Sequence, residues 1–170
     1  MKDNILYIFK NGRSDRLKCL KGNGQKFPSE FFYGYVQLKQ EYKCLSFLEE
    51  KDFGLSDSRS FLFKLVNLLH LILGNLPIGT FVAFLNKEKL KKLSNYSIII
   101  VSTNTLGMTL AMLKTLGFIN SKIVFITMGL FNISSNKWVQ FLNKIFIKNI
   151  HLVTISKAEN FFLKNLLPKQ

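Results

Sequence analysis

Apolar residues in this chain gather into short runs that end at polar turns. ILYIF (5–9) is the first, bounded by the turn dipeptide Asn11-Gly12. SIIIVS (97–102), KIVFIT (122–127) and HLVTI (151–155) repeat the pattern, and Lys43 to Leu48 reads as a further strand before Glu49-Glu50-Lys51-Asp52. Runs apolar continuously, rather than at every second position, predict strands covered on both faces. Elsewhere the period becomes helical. Ser29 caps a predicted helix on which Phe31, Tyr35, Leu38 and Tyr42 share a face. FLFKLVNLLHLIL (61–73) is polar only at Lys64, Asn67 and His70, which predicts a helix apolar almost all round. Asn75-Leu76-Pro77 ends it, and a helix over Thr80–Leu93 follows. Further helices are expected over Leu106–Leu116, stopped by Gly117, over Asn136–Lys148, and from the capping box Ser156-x-x-Glu159 to Leu167. Residues 10–26, polar, basic and glycine-containing, read as a long loop.

Strands alternating with helices predict an α/β fold: an open, doubly wound, mostly parallel sheet with helices on both faces, residues 1–170 forming a single domain. In such sheets ligands sit outside the carboxyl ends of the strands, where strand order reverses. The stretches to examine are therefore 10–30, 102–105, 127–131 and 156–159.

Charge adds an expectation about ligands. The chain carries +14, unevenly: residues 58–170 hold fourteen Lys and Arg against Glu88 and Glu159 alone. Such a field draws anions, whether phosphorylated substrates, acidic lipid or nucleic acid. A codon bias toward lysine would give the same excess, and the same field. No nucleic-acid motif accompanies it, so a nucleic-acid partner is not expected. Cys19 and Cys44 form no CxxC pair, and His70 and His151 are the only histidines, so neither a disulfide framework nor a metal site is expected. The amino-terminal apolar run of five residues is too short for a signal peptide, which predicts a cytoplasmic chain.

The strand ends carry neither GxGxxG nor GxxxxGK[ST]. After the first strand come Lys10, Arg13, Arg16, Lys18, Lys21 and Lys26, then a helix start at Ser29-Glu30 able to receive a phosphate oxygen. After the third come Ser102, Thr103, Asn104 and Thr105, suited to hydrogen-bonding a hydroxyl-rich ligand and equally to capping the next helix. Ser156 has a capping role through Glu159. No carboxylate pair, Ser/His/Asp set or Cys/His pair is visible at these ends, and the acids placed there are Glu30 and Glu159.

The chain resembles the N-terminal, acceptor-side domain of GT-B-fold glycosyltransferases, most nearly glycosyltransferase family 4. The likeness rests on FPSEFFYGYVQLKQEY, on SNYSIIIVSTNTLGMTLAMLKTLGFINSKIVFITMGL and on HLVTISKAENFFLKNLLPK. It implies a nucleotide-sugar co-substrate, no metal, transfer to a cell-surface polysaccharide or glycolipid acceptor, and a separate C-terminal donor-binding domain that these residues do not include. It places Asn11, Gly12, Ser29 and Glu30 on the donor-phosphate side, and Ser102, Thr103, Asn104, Thr127, Met128, Gly129 and Ser156 along the acceptor side. Two positions depart from the family. Phe27-Pro28 stands where paired glycines are usual, and Met128 where many members have a histidine that contacts the donor sugar.

Such enzymes often work on lipid-linked acceptors at a membrane surface. Helix 61–73, about 20 Å long, is too short to span a hydrocarbon core of about 30 Å. It could lie in the interface, with the basic stretch 87–92 near lipid headgroups. The competing reading is a non-enzymatic α/β binding or regulatory module with a basic surface; a receiver domain is disfavoured because no acidic cluster follows the first strand.

Overall fold

Five consecutive buried residues, Ile5–Phe9, form strand β1, flanked on both sides by parallel neighbours. The computed structural model describes residues 4–21, 32–42, 44–53, 76–127 and 137–166. The other strands are β2 (Leu45–Glu49), β3 (Ile98–Val101), β4 (Lys122–Thr127) and β5 (His151–Thr154), and they line up all parallel in the order β2-β1-β3-β4-β5. Among the described residues seven α-helices accompany them: α1 (Arg13–Lys21), α2 (Tyr35–Glu41), α3 (Ile78–Phe84), α4 (Lys87–Ser94), α5 (Asn104–Thr115), α6 (Lys137–Ile147) and α7 (Lys157–Leu166). The expected open α/β arrangement, Rossmann-like and single-domain, is therefore present.

Alternate residues of β1 feed two cores. Leu6 and Ile8 join Ile99, Val101, Ile123 and Phe125 under α3 to α7. Ile5, Tyr7 and Phe9 face the other way, into an aromatic cluster with Phe32, Tyr35 and Phe47, where the Phe9 and Phe47 rings stack at 5.2 Å. Both faces of β1 are thus covered, which is why its sequence shows no alternation.

Three expectations need correction. Residues 10–26 are not one long loop, because α1 begins at Arg13. That helix has no apolar stripe to announce it. Its first turn is held from a distance by the Glu49 carboxylate, which accepts from the Ser14 amide, and Leu17 packs against the aromatic cluster. The helix expected from Ser29 to Tyr42 does not run unbroken: α2 begins at Tyr35, because Tyr33 and Gly34 both have positive φ (46° and 80°), which no helix interior accommodates, and Tyr42 lies past its end, exposed. The single helix expected over Thr80–Leu93 is two, α3 and α4, divided at Leu85-Asn86. There the Asn86 side chain accepts from the Glu88 amide at 2.8 Å, and a second helix start competes with continuation. Helix 61–73 lies outside the described residues. Among those described, no helix is long and apolar enough to cross a membrane.

Candidate functional site

In the order β2-β1-β3-β4-β5 the connections leaving β1 and β3 diverge. The chain leaving β1 enters α1, whose Leu17 packs on the aromatic face, whereas the chain leaving β3 enters α5, whose Leu106 and Leu110 pack on the opposite face. A crevice must open between them, at the carboxyl ends of β1 and β3. One of about 700 Å³ does, within the range of small-ligand sites.

Its walls are polar. Lys10 and Arg13 come from the end of β1 and the start of α1; Ser102, Thr103, Asn104 and Thr105 come from the turn into α5; Tyr33 and Thr80 close the sides. Tyr33 is held by Tyr7, whose hydroxyl donates to its carbonyl oxygen at 3.1 Å and is pushed up to about 12 by burial. Thr103 occupies the cap position of α5, yet its side chain makes no capping hydrogen bond. It donates instead to Glu50 Oε1, 3.2 Å away. The first turn of α5 therefore meets the crevice without the side-chain cap that the sequence allowed, and its partial positive charge adds to that of Lys10 and Arg13.

The amino end of α1 is already filled. Glu49 is 1% exposed, accepts from the Ser14 amide, and pairs with Lys51 at 2.8 Å. Burial alone would raise its carboxyl. The Lys51 ammonium and the Ser14 amide and hydroxyl outweigh burial and hold it at about 2. An incoming anion is thus directed to the α5 side of the crevice and to its two cations.

The residues singled out from sequence divide accordingly. Ser102, Thr103 and Asn104 line the crevice. Asn11 and Gly12 do not: the Asn11 side chain accepts from the Lys51 amide at 2.8 Å, and Gly12, at φ 86°, makes the turn into α1. Ser156 accepts from the Glu159 amide at 3.1 Å, the capping role its spacing predicted. Thr127 is fully buried at the end of β4, and its hydroxyl has no hydrogen-bond partner among the described residues. Ser29, Glu30, Met128 and Gly129 lie outside the described residues. Among the described residues, no three His, Cys, Asp or Glu gather as a metal site would need.

Of the polar crevice residues that sequence reading missed, Tyr33, Thr80 and Glu50, the charged one is Glu50. It follows β2 in a 3-10 turn (Glu50–Phe53) and enters the crevice only because β2 pairs beside β1. Burial pushes its carboxyl above the ordinary range, against the Thr103 hydroxyl and the Lys10 charge. A second cavity, about 590 Å³, lies beside the edge strand β5 and is lined by Lys148, His151 and Lys164, away from the switch point.

No family model matches the chain, and neither a curated protein nor a solved structure does.

Proposed function

We propose that the β1/β3 crevice binds the diphosphate of a nucleotide-sugar, and that the chain serves as the acceptor-side half of a glycosyltransferase, a second domain holding the rest of the donor. The observation that carries this reading is the convergence of Lys10, Arg13 and the α5 amino end on one crevice at the switch point. Two cations and a helix terminus offset diphosphate charge without a bound cation, and the hydroxyls of Ser102, Thr103 and Thr105 suit sugar hydroxyls. Calorimetric titration with UDP-glucose and GDP-mannose is the test. Binding is expected, and Arg13→Ala or Lys10→Ala should each weaken it about tenfold, the loss of one charge-assisted contact. Unchanged affinity in both variants would contradict the reading. A regulatory module with the same crevice would bind the ligand but transfer no sugar when joined to a donor-holding domain.

In the same reading the acceptor is lipid-linked and the protein rests on a membrane surface. Of the basic stretch 87–92, Lys89 and Lys92 turn back to the carbonyls of Ala83 and Asp52, leaving Lys87 and Lys91 outward. Helix α6 offers the better contact. Trp138, Phe141 and Ile145 share its outer face, exposed at 52%, 51% and 40%, while Leu142, Phe146 and Ile147 pack inward. From residue 89 to 158 the chain has nine lysines and no acid, so this face suits anionic lipid and disfavours a second copy of itself. Replacing Trp138 and Phe141 together by alanine should weaken sedimentation with phosphatidylglycerol vesicles about tenfold, as expected for withdrawing two partly buried rings. Equal binding of both proteins would exclude α6 as the contact.

A further inference from the structure

Among the described residues Glu50 is the only carboxylate lining a crevice otherwise built to attract anions. Lys10 faces it from the end of β1, Arg13 from α1, Tyr33 from the turn before α2, and Thr103 from the cap of α5. On its own turn, Lys51 is committed to Glu49, and Asp52 accepts from the Glu49 amide at 2.7 Å. Glu50 cannot readily swing away. The Thr103 hydroxyl holds its Oε1, and the turn behind it is pinned where the Lys51 amide meets Asn11.

Resting on the nucleotide-sugar reading, we infer that the crevice takes up its diphosphate together with one proton, and that the Glu50 carboxylate receives that proton. An entering diphosphate brings two negative charges and draws on the same lysine that compensates Glu50. The half-buried carboxylate then faces like charge in a poorly solvated place. A proton taken from solvent onto a Glu50 oxygen removes the repulsion and turns an acceptor into an O–H donor toward a phosphate oxygen. No covalent bond forms or breaks, and the proton returns to solvent when the ligand leaves.

The direction with pH follows. Ligand binding raises the affinity of Glu50 for its proton, so ligand affinity is greatest at low pH. It falls by up to about tenfold per pH unit wherever the free protein is ionised and the complex is protonated. The substrate class this favours is a diphosphate diester of fixed charge, in which the only proton exchanged is the protein's own.

Calorimetry with UDP-glucose in buffers of differing ionisation enthalpy, repeated across about pH 5 to pH 8, measures that proton. The expected result is an uptake rising toward about one proton per ligand in the wild type and none in Glu50→Gln, with the affinity of the variant flat across the same range. Carbon-13 titration of the Glu50 carboxyl in wild-type protein, with and without UDP-glucose, gives the same answer should the variant fold poorly. Binding without proton uptake, or uptake that survives Glu50→Gln, overturns the inference and leaves the nucleotide-sugar reading standing. Failure to bind both UDP-glucose and GDP-mannose overturns the two together.

Discussion

Phe125→Ala is expected to lower the unfolding free energy by about 3–5 kcal/mol, the cost of emptying a fully buried aromatic site. Phe125 lies on β4, directly beneath Gly107 of α5. A Cβ at Gly107 would lie well inside van der Waals contact distance of three Phe125 ring atoms. The glycine is there for close approach of helix to sheet. Gly107→Ala should therefore destabilise by about 1–3 kcal/mol, although alanine is favoured over glycine inside a helix by about 1 kcal/mol. In the double variant the new methyl group enters the space the ring vacates, so the combined cost should be smaller than the sum. Urea unfolding of the four proteins measures this; strict additivity would mean that α5 and β4 do not meet at these two residues.

Acid should weaken the fold through Glu49. Its carboxyl falls from an ordinary 4.5 to about 2, because the contacts with Lys51 and Ser14 outweigh the opposing effect of burial. A group lowered on folding stabilises the native state above its unfolded value. That stabilisation, at most about 3 kcal/mol, should be complete near neutrality and lost as pH falls from 4.5 toward 2. Glu49→Gln should cost about 1–3 kcal/mol at pH 7 and flatten the acid limb, because the amide has no proton to take up. Denaturant unfolding from neutral to acid pH compares the two proteins. Parallel acid limbs would show that the charge of Glu49 does not hold α1 to the end of β2.

What could be read in the sequence was whatever burial writes locally. The strands at residues 5–9, 98–101 and 122–127 were legible because a parallel sheet covered on both faces demands runs of Ile, Val, Leu and Phe, whereas the edge strand at 151–154, with His151 and Val153 exposed, read as a strand without that cover. The cap at Ser156 was legible because its partner, Glu159, is three residues away. Helix α1 was not: its stabilising carboxylate comes from Glu49, 35 positions later, and a polar helix held by tertiary contacts leaves no periodic mark. The crevice was half legible. Ser102, Thr103 and Asn104 announced themselves as small polar groups at a strand exit, and the competing capping role of Thr103 was decided only by Glu50, 53 positions away. Glu50 itself read as the polar stop of a strand, and only the placement of β2 beside β1 turns it into part of the site.

Where a diphosphate binds decides whether the β1/β3 crevice is the site. Nitrogen-15 amide spectra of the full chain, recorded as UDP-glucose is added, locate it residue by residue. The prediction is saturable shifts at Lys10, Arg13 and Ser102 through Thr105, with Lys148, His151 and Lys164 unmoved. Shifts confined to the cavity beside β5, or absent from the β1/β3 crevice at saturating ligand, would contradict it.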